Sequence, residues 1–177
     1  MKEKKILGEE RRELILQWLK SSSEPITGGE LASKTNVSRQ IIVGDITLLK
    51  AKNEPIIATS QGYMYLNQPS AASTVERTIA CFHPPDRTEE ELIILVDNGV
   101  TVKDVRIEHP VYGDLTASIM VSNRKEVEQF MQKINATNAA YLSELTDGIH
   151  LHTISASSEQ ILNDAIEVLK KEQFIIE

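Results

Sequence analysis

Cysteine is nearly absent: Cys81 is the one cysteine in 177 residues. That excludes a disulfide framework and any cysteine-rich zinc fold, and makes a reducing cytoplasm the expected location. No apolar run approaches the ~20 residues that a membrane-spanning helix needs, so no membrane partner is expected. The opening Met1-Lys2-Glu3-Lys4-Lys5 leads into no apolar stretch of the kind a secretory signal carries. Nucleophile elbows, glycine-rich phosphate loops and dinucleotide fingerprints are missing. So are internal repeats and low-complexity tracts. What is present, 41% hydrophobic and 25% charged residues, suits one medium domain or two small ones with separate cores.

The net charge of −7 is unevenly placed. Residues 1–70 hold ten Lys/Arg against eight Asp/Glu, a net of +2, and residues 71–177 hold nine against eighteen, a net of −9. The first part is able to approach a polyanion, and the second is repelled by one. Between them Asn67-Gln68-Pro69-Ser70-Ala71-Ala72-Ser73-Thr74 is small, polar and aperiodic. The expected division is a domain over 1–67, a linker over 68–74 and a domain over 75–177.

Before the linker the periodicity predicts three helices and a hairpin. Leu14/Trp18 and Ile15/Leu19 share a face of a helix from about Gly8 to Ser22. Thr27-Gly28-Gly29-Glu30 has the capping-box spacing at the start of a short second helix. After the turn Thr35-Asn36-Val37, Ser38 suits the N-cap of a third helix with Ile42, Ile46 and Leu49 on one stripe. Pro55 to Thr59 and Tyr63 to Leu66 flank Ser60-Gln61-Gly62, a hairpin signal. This is the order of a winged helix-turn-helix, in which the third helix stands proud of the body and its N-terminal end enters a major groove. The residues expected on DNA are Ser38, Arg39, Gln40, Val43 and Thr47 on that helix, with Gln61 at the wing tip. Arg39 and Gln40 carry donors and acceptors that match guanine and adenine edges. Lys34, Lys50 and Lys52 are candidates for phosphate. The alternative is a three-helix module that binds protein. Gly44 is unusual inside a helix, where it costs about 1 kcal/mol.

After the linker, strand and helix patterns alternate in the order β-α-β-β-α-β-α. The expected fold class is α+β: a winged helix-turn-helix followed by a two-layer sandwich, one antiparallel sheet with helices on one face. Both a ferredoxin-like and a phosphocarrier-like (HPr-like) arrangement satisfy that order.

All four histidines, His83, His109, His150 and His152, lie in this second part. His150 and His152 are two apart on a predicted strand and point to one face. In both candidate folds the first and last strands are antiparallel neighbours, which brings His83 beside them. Glu91 follows in the first turn of the next helix. Three imidazoles and a carboxylate suit a divalent ion such as zinc or nickel. The same residues also allow a purely structural reading. His-x-His is common surface alternation, Thr88-Glu89-Glu90-Glu91 has capping-box spacing, and His109 before Pro110 suits a turn. A zinc hydrolase with Glu91 as base is the enzymatic alternative. Cys81, within a strand, reads as core.

Two sets of residues resemble known families. Val37-Ser38-Arg39-Gln40-Ile41-Ile42-Val43-Gly44-Asp45-Ile46 resembles the DNA-binding domains of biotin-repressor type. Cys81-Phe82-His83-Pro84 with Glu91, Glu108-His109-Pro110-Val111-Tyr112-Gly113, and Gly148-Ile149-His150-Leu151-His152-Thr153 resemble the 3H domain, named for its histidines. The combination is similar to the niacin-responsive repressors of NAD-biosynthesis and niacin-uptake genes, the NiaR family. The resemblance implies a cytoplasmic homodimer that binds operator DNA with nicotinic acid as co-repressor, and no enzymatic activity. It implies one divalent transition metal per chain, zinc or nickel, on His83, Glu91, His150 and His152. It implies an HPr-like second domain, and it makes His109, with Tyr112 beside it, the candidate for effector recognition.

Overall fold

The structure, a computed structural model, describes residues 6–66 and 74–176. The chain divides between Ser70 and Ala71 into two compact units. Apart from Thr74, the expected linker lies outside the described residues. No described helix is long and apolar enough to cross a membrane.

In the first unit α1 (Gly8–Ser21), α2 (Gly28–Thr35) and α3 (Arg39–Ala51) precede a hairpin of β1 (Ile56–Ala58) and β2 (Tyr63–Tyr65). The apolar stripes converge as their spacing requires: Ile15 and Leu19, Leu31, and Ile42, Ile46 and Leu49 form one buried cluster with Ile26 and Ile56. The Thr27–Glu30 capping box forms. Ser38 occupies the N-cap position of α3, but its side chain makes no capping bond. The hairpin is tied to the body at Ile26, which exchanges backbone bonds with Tyr63 at 2.9 and 2.8 Å. Gly62 permits this. Its φ is +143°, and a Cβ there would lie 2.7 Å from the Ile26 carbonyl.

Asp45 turns inward from α3 and meets α1. Its carboxylate accepts from Arg11 Nε at 2.6 Å and Nη2 at 3.2 Å, and from Arg12 Nη1 at 3.3 Å. Arg11 and Asp45 are both buried.

The second unit runs β3 (Val75–Phe82), a 3-10 turn (Pro85–Arg87), α4 (Thr88–Asp97), β4 (Thr101–His109), β5 (Gly113–Val121), α5 (Arg124–Thr137), a second 3-10 turn (Leu142–Thr146), β6 (Ile149–Ala156) and α6 (Glu159–Lys171). The sheet order is β3-β6-β4-β5, antiparallel throughout. A ferredoxin-like sheet would put the first strand between the last and the third. Here the last strand lies between the first and the second, which is the HPr-like order. Helix residues such as Leu92, Leu95, Leu162 and Leu169 pack on Ile79, Cys81, Val102 and Ile154 of the sheet. The chain end adds an unexpected feature. Ile175 bridges Cys81 on the outer edge of β3, and Phe174 is fully buried.

Replacing Asp45 with alanine leaves two arginines facing a buried gap. Breaking a buried pair in this way costs about 3–5 kcal/mol. Denaturation followed by fluorescence of Trp18, the chain's one tryptophan, is expected to show that loss in the first unit.

Candidate metal centre, effector cavity and DNA-facing helix

The sheet order carries the histidines to one place. Cys81 is the cross-strand partner of His150, and His83 N–H continues the ladder to the Gly148 carbonyl at 3.4 Å. The end of β3 therefore lies against the start of β6. Gly148 makes the approach possible: its φ is +95°, and a Cβ would lie 2.5 Å from the His83 carbonyl oxygen. Beside β6, the pairing of β4 is irregular between Val102 and Arg106. There the Asp104 carbonyl turns to the His152 ring at 2.6 Å, and the Asp104 side chain accepts from Thr153 N–H at 2.9 Å. The His83 ring packs edge-on against Phe174, with centroids 5.2 Å apart.

Glu91 reaches into this group from α4. The expected Thr88–Glu91 capping box does not form: Arg87 is the N-cap residue, Thr88 is already helical, and the Glu91 carboxylate turns away from the helix start. One of its oxygens, Oε2, lies 2.8 Å from His83 Nε2, 3.3 Å from His150 Nε2 and 3.2 Å from His152 Nε2. All four residues are buried. Cys81 was read as core and is fully buried, yet its Sγ and the donor atoms of Glu91 and His150 all lie within 4.8 Å of one another.

The other ring nitrogens decide what this cluster can hold. His83 Nδ1 lies 2.9 Å from the Pro84 carbonyl, His150 Nδ1 2.9 Å from the Gly148 carbonyl, and His152 Nδ1 2.6 Å from the Asp104 carbonyl. A carbonyl only accepts, so each Nδ1 carries hydrogen. In the neutral imidazoles each Nε2 is then a bare lone pair aimed at a carboxylate, which also only accepts. Such an arrangement needs positive charge at its hub, from protons or from a metal ion. Backbone carbonyls that fix the tautomer and turn Nε2 inward are the usual second layer of a metal site. Glu91 Oε1 is buried without a hydrogen-bond partner, a further open valence. The donor set is compatible with a divalent transition metal.

Protonation follows the same logic. Burial pushes the His83 and His152 rings down, but the Glu91 carboxylate outweighs it and leaves both raised above the ordinary histidine value. Burial pushes Glu91 up, and the His152, His150 and His83 rings together hold it well below the usual carboxylate range.

The cluster forms one end of a cavity of about 230 Å³. Its walls are mainly carbon: Leu92 from α4, Val105 from β4, Ala117 and Ile119 from β5, Phe130 and Ile134 from α5, and Tyr141 and Leu142 beside the second 3-10 turn. Of the apolar residues on α5 only Val127 is fully buried, and Phe130 and Ile134 line this space.

His109 and Tyr112 are not brought here. They sit at the β4–β5 hairpin, outside the cavity lining. His109 Nδ1 accepts from the backbone N–H groups of Val111 and Tyr112 at 3.1 and 3.2 Å, and the two rings lie 5.0 Å apart. Those bonds close the turn.

On the first unit Ser38, Arg39, Gln40, Val43, Thr47, Lys50 and Lys52 are all exposed, as a DNA-reading face requires. Thr47 Oγ donates to the Val43 carbonyl at 2.8 Å. Lys34 is exposed with its ammonium 5.3 Å from the Trp18 ring centre. Gln61 is half-buried and donates to Ser60 Oγ at 3.1 Å. Gly44 is exposed, and a Cβ there would meet nothing within 4 Å.

Comparison with known proteins agrees with both halves of this geometry. Residues 11–64 match an HTH domain, and residues 76–177 match the 3H domain. The transcription repressor NadR of Bacillus subtilis (strain 168) is 61% identical over 175 residues, 98% of this chain and 97% of that protein. The probable transcription repressor NiaR of Thermotoga maritima is 39% identical over 173 residues, with 98% and 97% covered. The chain belongs to the NadR/NiaR family of transcription repressors. Like other members of that family it is a DNA-binding repressor rather than an enzyme, so the hydrolase alternative falls away.

In the metal-free repressor the raised His83 and His152 stabilise the folded unit fully below the ordinary histidine range, and that contribution is lost as the pH rises through their raised values. Glu91 contributes above the ordinary carboxylate range and loses its contribution only as the pH falls through its lowered value. Between these limits protons satisfy the hub; above them a cation must. With chelator present, the unfolding temperature of the second unit is expected to fall between about pH 6 and about pH 9. Saturating divalent metal restores it at the upper end. A chelated protein with equal unfolding temperatures at both pH values contradicts this account of the cluster.

Proposed function

We propose that this repressor is niacin-responsive, with nicotinic acid as co-repressor at NAD-biosynthesis and niacin-uptake operators. The observation that supports this most is the acceptor-only cluster opening onto an apolar cavity. Nicotinate is a flat anion with a ring nitrogen, and it must enter a half of the chain whose net charge is −9. Among the described residues no lysine or arginine lines the cavity. The positive centre is then one zinc or nickel ion per chain held by His83, Glu91, His150 and His152. When bound, that ion supplies a Lewis-acidic position for the carboxylate or the ring nitrogen. Leu92, Val105, Ile119 and Phe130 cover the ring faces and exclude water. His109 and Tyr112, expected from the sequence to recognise the effector, act instead as the hairpin's turn in this reading.

Residues 1–67 bind operator DNA, and residues 75–177 sense the effector and join two chains into a homodimer in the cytoplasm. Arg39 and Gln40 read base edges with Ser38, Val43, Thr47 and Gln61 around them, and Lys34, Lys50 and Lys52 contact phosphate. Two linked heads read a two-fold operator. Nicotinic acid strengthens repression by binding the DNA-competent arrangement more tightly, and DNA tightens nicotinic acid by the same factor, typically about 1–3 kcal/mol.

A gel shift on the protein's own promoter fragments tests the reading. Nicotinic acid is expected to raise operator affinity for the metal-loaded protein and to lose that effect with chelator or in His152→Ala, whose basal affinity is little changed. Equal nicotinic acid responses with and without chelator remove the metal from the mechanism. No response in any state removes niacin.

The recognition helix has its own test. Gly44→Ala is expected to stabilise α3 by up to about 1 kcal/mol in thermal unfolding, because the added methyl meets nothing and helix propensity improves. Operator affinity is expected to fall at the same time, because the methyl occupies space that DNA approaches. Unchanged affinity in a stabilised Gly44→Ala protein places the groove contact elsewhere on the helix.

A further inference from the structure

Thr88 is the cavity residue that nothing in the fold explains. It opens α4, three residues before Glu91, and so shares a helix face with the carboxylate that reaches the histidines. Thr88 lines the same cavity, and its hydroxyl oxygen is shielded from solvent and has no hydrogen-bond partner. A threonine one position earlier would cap the helix. At Thr88 the hydroxyl is already past the N-cap, and the preceding turn offers its oxygen nothing. A buried hydroxyl without a partner is a cost that a carbon side chain would avoid. Among the other polar groups on the cavity wall, Glu91 Oε1 also lacks a partner but belongs to the histidine cluster. The imidazoles converge on Glu91, and the Tyr141 hydroxyl contacts Met131 Sδ at 3.9 Å.

We propose that the Thr88 hydroxyl donates a hydrogen bond to the end of a planar pyridine carboxylate that faces away from the histidine cluster. This rests on the niacin reading above and names the residue that reads the ligand's second polar end. With either the carboxylate or the ring nitrogen turned to the cluster, the far end is an acceptor. A hydroxyl, which donates as readily as it accepts, satisfies both orientations. Thr88 is then a specificity-determining residue. Because it sits on the same helix face as Glu91, one ligand engages α4 at both points.

Isosteric Thr88→Val removes the hydroxyl and keeps the shape; Thr88→Ser keeps the hydroxyl. Three quantities are measured on the full chain: metal content, unfolding temperature without effector, and calorimetric affinity of the metal-loaded protein for nicotinic acid. Thr88→Val is expected to retain its metal, to unfold at a higher temperature than wild type without effector, and to bind nicotinic acid about 10- to 100-fold more weakly. Thr88→Ser is expected to stay within about threefold of wild type in affinity. Wild-type affinity in Thr88→Val overturns the proposal and leaves the niacin reading standing. A loss of affinity that tracks a loss of metal also overturns it, because Thr88 would then act only through the cluster. If the metal-loaded wild-type chain does not bind nicotinic acid at all, the niacin reading fails and this proposal fails with it.

Discussion

Three imidazole nitrogens aimed at one buried carboxylate oxygen need positive charge between them, from protons or from a metal ion. The rest of the second unit is arranged around that constraint. Three backbone carbonyls hold the outer ring nitrogens and so fix the direction of the inner ones. One of these, at Asp104, is available because β4 departs from regular pairing beside β6. Another belongs to Gly148, where a side chain would collide with the His83 carbonyl. Phe174, from the end of the chain, closes the outer side of the His83 ring. Carbonyls, bulge, glycine and chain end each restrict a histidine that had other rotamers open to it. Together they hold a concentration of nitrogen and oxygen donors that protons or a metal ion can satisfy.

The charge balance of this unit bears on the proposed use of a cation. Several of its basic side chains are already committed to carboxylates on the surface: Arg77 to Glu159, Arg87 to Glu90, Lys103 to Glu76 and Arg124 to Asp97. In an acidic domain a cavity arginine would face the same competition. An ion held by imidazoles would be fixed at the end of the cavity and present only when the ligands are deprotonated and metal is supplied. In the proposed reading, anion binding thus becomes conditional on a second chemical signal. The surrounding acidity, which disfavours a free anion, sharpens the dependence on that one positive point.

What was legible in the sequence follows from which interactions are local. Helix stripes such as Ile42/Ile46/Leu49 and the Thr27–Glu30 box depend on residues within a turn of each other, and they formed as read. His83 and His150 were legible despite their separation, because every candidate sheet makes the first and last strands neighbours. The same degeneracy left the strand order open, since both candidate folds share that pairing and differ only in where the other strands attach. The cavity was hidden for a different reason. Its wall gathers a few residues each from α4, β4, β5, α5 and β6, and one further lining residue, Tyr141, stands in a polar segment with no periodicity to betray it. Cys81 was a missed neighbour, although the β3–β6 pairing that placed His83 also sets it opposite His150. Glu91 and Thr88 misled in tandem, because capping-box spacing satisfies a local rule that the helix resolved one residue earlier. His109 carried the residue type of the cluster without its placement: its ring closes a hairpin through the backbone of Val111 and Tyr112.

The first unit shows the complementary economy along a single helix. At Asp45 α3 turns a charge inward, where Arg11 and Arg12 anchor it to α1. At Gly44, one residue earlier, it presents bare backbone outward with nothing within reach of an added methyl. The inward charge fixes how α3 rolls about its own axis, because a rotation large enough to bury Gly44 would pull Asp45 from two guanidinium groups. The same roll sets Arg39, Gln40, Val43 and Thr47 toward solvent. The buried ion pair is thus better understood as a register device for the exposed face than as a source of net stability, since desolvating three charged groups offsets much of what their attraction provides.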